Sequence, residues 1–69
     1  MYYYELHCFF KRGSGYSIGI ESKEDLSNDE DAIIELAVSK GLFSEEGDEA
    51  YVDYVESITE DEYNNYFKI

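Results

Sequence analysis

Residues 21–69 carry sixteen acids and three bases, whereas residues 1–20 carry one acid and two bases. The chain of 69 residues therefore has a formal charge of −12, all of the excess lying after residue 20. A chain so charged must fold against its own repulsion, and it stays disordered when apolar residues are scarce. Here 43% of the residues are hydrophobic and 17% aromatic, with eight tyrosines. A tyrosine buries its ring while the hydroxyl stays in contact with water, which suits a thin core. The chain is read as one folded acidic domain, 1–69. It is too short for barrels or doubly wound sheets and buries roughly 60% of its unfolded surface.

The first nine residues after Met1, Tyr2–Phe10, are strand formers with no breaker. Alternation puts Tyr2, Tyr4, Leu6, Cys8 and Phe10 on the core face, and Tyr3, Glu5, His7 and Phe9 on the other. A glycine-containing loop follows, then Tyr16–Glu21 with Tyr16, Ile18 and Ile20 inward, which completes an antiparallel hairpin. Ser27 and Glu30 form a capping box at a helix start, and Gly41 is a natural helix stop. Residues 50–58 fit either period: Tyr51, Tyr54, Val55 and Ile58 recur helically, while the β-branched and aromatic content favours a strand. A second capping box, Thr59 with Glu62, starts a helix there and makes 50–58 a strand. The expected fold is α+β, in β-β-α-β-α order, a three-stranded sheet with both helices on one face.

Motifs that resemble chemistry fail their context tests. Gly15-Tyr16-Ser17-Ile18-Gly19 matches a nucleophile elbow, but it lies within a hairpin strand rather than a strand-to-helix turn. His7 and Cys8 are neighbours on a strand, point to opposite faces and cannot act as base and nucleophile. Neither residue finds further ligands of its own softness, so no metal site and no cofactor are expected. The acidic runs lack the register of an EF-hand, which leaves only a weak surface calcium site open. No catalytic residues are assigned. The single cysteine points to a reducing compartment, the N-terminus lacks a signal-peptide pattern and no apolar run is long enough to span a bilayer; a cytoplasmic location is expected.

Helix dipoles account for the acids in the first turns, Asp29–Asp31 and Glu60–Glu62. The remainder exceeds what solubility requires of a small domain, and Asp31 and Glu35 repel at i,i+4. Self-repulsion of this kind points to a basic partner. The carboxylates assigned to it are Asp25, Asp29, Glu30 and Glu35, then Glu45, Glu46, Asp48 and Glu49 in the loop, then Asp53 and Glu56. In size, acidity and lack of a cysteine pair, the chain resembles the nucleic-acid-mimic inhibitors of phages and mobile elements, including anti-restriction and anti-CRISPR proteins. The acidity implies a non-catalytic inhibitor seated on the basic surface of a DNA- or RNA-binding protein, and a charge of −12 opposes direct binding of nucleic acid. The alternative is a homo-oligomeric structural or accessory domain joined through the rings of Tyr3 and Phe9, since both sides of the first strand carry large rings.

Overall fold

A computed structural model describes residues 1–11, 13–44 and 50–68. The elements are β1 (Tyr2–Phe10), β2 (Gly15–Ser22), α1 (Glu30–Ser39), β3 (Ala50–Ile58) and α2 (Glu60–Tyr66). The three strands form an antiparallel sheet in the order β2-β1-β3, so the expected α+β architecture and element order are observed. Among the described residues, no helix is long and apolar enough to cross a membrane.

Strand β1 is central and shows why alternation was informative. Tyr4, Leu6 and Cys8 are buried, as are Ile18 and Ile20 across from them on β2. α1 closes this face with Ile33 and Ala37, and Phe43 folds back after the helix to join them. The ends of the strand are more open than alternation alone implies, for Tyr2 and Phe10 are exposed. Tyr4 is a fully buried ring whose hydroxyl still has partners. It accepts from the Leu26 backbone N–H at 2.7 Å and donates to Asp25 Oδ1 at 3.5 Å, the pairing that a buried phenol requires.

α1 starts two residues later than the Ser27 box predicts. Asp25 accepts hydrogen bonds from both the backbone N–H and the hydroxyl of Ser27. That ties Ser27 into a turn and leaves Asp29 to cap the helix, accepting from Ala32 N–H at 3.1 Å. The helix stop is as read. Gly41 takes φ +74°, and Leu42 N–H returns to the Ala37 carbonyl while Gly41 N–H returns to Val38, which is a Schellman ending.

β3 is a strand, and a bulge explains its mixed period. His7 faces Tyr54 and Cys8 faces Val52, so Asp53 is the extra residue. The bulge shifts the phase by one position. Val52 and Val55 both pack toward the core, while Tyr51 and Tyr54, also three apart, both face away.

The expectation of both helices on one face is corrected by α2, which lies on the side opposite α1. The Tyr63 ring rests on Tyr3 at 4.9 Å between centroids, and Phe67, just past the helix, lies over Gly19. A Cβ built on Gly19 would fall 2.2 Å from the Phe67 ring, so only glycine admits this packing. The Thr59–Glu62 capping box is fully formed and turns the chain across the sheet edge to that face. A Gly19→Ala substitution is expected to cost about 1–3 kcal/mol through overpacking, measured by urea unfolding. The loss should shrink in a Phe67→Ala background, where the clashing ring is absent.

Candidate functional site

The face that carries α2 is covered at one end only. Along β1 it presents Tyr3, Glu5, His7 and Phe9; along β3, in register with them, Ile58, Glu56, Tyr54 and Tyr51. Across from β1 on the other side, β2 offers Glu21, Gly19, Ser17 and Gly15, mostly small residues. α2 takes the Tyr3 end. Beyond it, the rings pair directly across strands: His7 stacks on Tyr54 at 4.1 Å and 13°, and Phe9 tilts against Tyr51 at 6.2 Å. Tyr51 and Tyr54 are 51% and 47% exposed, so this half of the face is an open aromatic surface. Its centre is polar. His7 Nε2 lies 2.8 Å from Glu56 Oε1 and 3.6 Å from Glu5 Oε2.

The carboxylates assigned to a partner divide by what holds them. Asp29 caps α1, and Asp25 is held by Ser27 and Tyr4. Glu30 Oε1 accepts the Val55 N–H at 3.1 Å, covering a donor of β3, which is an edge strand. This contact ties Glu30 of α1 to the backbone of β3. Glu56 is engaged by His7. Glu35 is exposed and lines a groove between α1 and the end of β2 together with Lys23 and Lys40. Asp53 is exposed. Glu45, Glu46, Asp48 and Glu49 lie outside the described residues. The remaining six thus occur as two groups, one around α1 and one along β3, rather than as one patch.

Local electrostatics follow burial and hydrogen bonding. Burial lifts the Tyr3 phenol above the ordinary tyrosine value, with Glu60, Glu21 and Tyr63 adding to the effect. Burial, then Glu21, does the same to Tyr63. Burial also raises the Cys8 thiol, which faces the core and is no nucleophile. Reading the strands one at a time missed the juxtaposition of Glu5, His7 and Glu56. Glu5 and His7 share a face by their i,i+2 spacing, and that was legible; Glu56 joins them only through the β1–β3 register.

No protein-family model, curated protein or solved structure matches this chain.

The Asp25 carboxyl is held below the usual carboxylate range, first by the Ser27 hydroxyl and then by the Ser27 backbone N–H. A depressed folded-state pKa stabilises the fold above the unfolded value of about 3.9 and is lost as pH falls through the folded value. Asp25→Ala should therefore be less stable than the native chain at neutral pH. Chemical unfolding across the acid range should show the gap closing below about pH 4.

Proposed function

We propose that this domain is a non-catalytic, acidic binding module that seats on the basic surface of a nucleic-acid-binding protein and blocks it. The observation that carries this reading is uncompensated charge. The chain bears −12, and among the described residues every ion pair involves His7, none a lysine or arginine. Carboxylates that are not neutralised inside the fold remain available to cations outside it. Their spacing suits a phosphate-binding surface. Same-face strand neighbours are about 7 Å apart and helical i,i+4 neighbours about 5–6 Å, near the roughly 7 Å between successive phosphates of a strand. Asp31 and Glu35 on α1 have this relation, and both are exposed. The reading places the domain in a reducing, cytoplasmic setting, in keeping with its single buried thiol. Exposed Tyr51 and Tyr54 favour a second reading, self-association through the open half of the α2 face.

The test immobilises the domain and loads it at low salt with the heparin-binding fraction of a cell lysate. Duplex DNA is then applied at constant ionic strength. Bound protein released by DNA, and bound about tenfold or more weakly by an Asp31→Lys/Glu35→Lys variant, is the expected result. Protein that only raised salt removes, or no capture together with a salt-resistant dimer on a sizing column, overturns the proposal in favour of self-association.

A further inference from the structure

We propose that Glu5, His7 and Glu56 form a binding site for a divalent transition-metal ion of zinc's class, on the open face of the sheet. The site offers one imidazole nitrogen and two carboxylate oxygens, all within 4.8 Å of one another. This differs from a merely acidic patch in its donor set. An imidazole with two carboxylates suits zinc and its neighbours, whereas calcium and magnesium prefer oxygen alone.

The geometry is close to what such an ion requires. With bonds of about 2.1 Å in a tetrahedral arrangement, neighbouring donors sit about 3.4 Å apart. His7 Nε2 and Glu5 Oε2 are already 3.6 Å apart. The 2.8 Å contact from His7 Nε2 to Glu56 Oε1 is a hydrogen bond that a metal would replace, releasing the shared proton. Glu56 is half exposed, so its side chain can yield the roughly 0.6 Å needed to reach that spacing.

Two further features favour a cation at this point. Glu5 and Glu56 are directly opposed across the antiparallel β1–β3 pair, where like charges destabilise the sheet. The Tyr54 ring stacked on His7 fixes the plane of the imidazole and keeps Nε2 turned toward both carboxylates. The His7 and Glu5 side chains are each 21% exposed, which holds two donors in place and leaves the ion's outer side open to water or to a partner's side chain. Cys8 takes no part, since it is buried on the opposite face.

His7 is the single histidine of the chain, so its ring resonances report on this site alone. The experiment titrates the full chain with zinc chloride, following the His7 ring by NMR and the melting temperature by circular dichroism. Calcium and magnesium chlorides serve as comparators. Expected are saturable one-to-one binding, displaced His7 ring signals and a raised melting temperature. Affinity should fall about tenfold or more in Glu56→Gln and in His7→Gln, since even outer-shell partners of a metal are worth 10–100-fold. Glu24→Gln, whose carboxylate lies elsewhere on the surface, should bind zinc as the native chain does. Unmoved His7 signals, equal binding by Glu56→Gln, or an equal response to calcium would each overturn the proposal and assign the ion to general surface charge.

Discussion

The fold hangs on one strand whose two faces are both used. β1 is hydrogen-bonded on both sides, to β2 and to β3, and carries large side chains up and down. Tyr4, Leu6 and Cys8 anchor the core under α1, while Tyr3 and Phe9 need cover on the other side. The fold covers the two faces of the sheet unequally. Its solution is economical: ten residues of α1 close the core, and seven of α2 cover only the Tyr3 end of the second face. The other half stays open, and it is there that His7, its two glutamates and the rings of Tyr51 and Tyr54 gather. The open half of this face is thus a consequence of the shortness of α2.

Charge is handled in a related way. Several acids do local structural work: Asp29 caps α1, Glu62 accepts the Thr59 N–H to complete the capping box of α2, Asp25 pins the turn before α1, and Glu30 covers a donor on the edge of β3. In each case the carboxylate accepts from an N–H or hydroxyl group and keeps its negative charge. Hydrogen bonding therefore organises these groups without reducing the repulsion among them. The burial of Tyr4, Leu6, Ile20 and Ile33 must outweigh that repulsion.

The hairpin, the ordering of the elements and the strand nature of 50–58 were legible because alternation and capping boxes are local signals. One local signal misled and a second was mixed. Ser27 looked like a helix cap, yet its hydroxyl is taken by Asp25, two residues before it, and Asp29 caps instead. Tyr51, Tyr54 and Ile58 looked helical because a bulge at Asp53 inserts one residue into the strand period. The placement of α2 was harder to see. Large rings on both sides of β1 support an oligomer contact through Tyr3 and Phe9 only as an alternative, and of these two Tyr63 covers Tyr3 from within the same chain. The Glu5–His7–Glu56 cluster depends on a register across 49 residues of sequence, which no local pattern encodes. Of the assigned carboxylates, those at turns and caps could not be separated from freely exposed ones until their partners were known.

The fold leaves its negative charge unneutralised, since among the described residues no lysine or arginine pairs with a carboxylate. The most direct measurement of it is the melting temperature between about 10 and 150 mM sodium chloride, a range over which the Debye length falls from about 30 to about 8 Å. A steady rise over this range is the expected result, as screening relieves repulsion among the surface carboxylates. A melting temperature that is flat or falls with added salt would show that attractive pairs balance the charge inside the domain, and would contradict it.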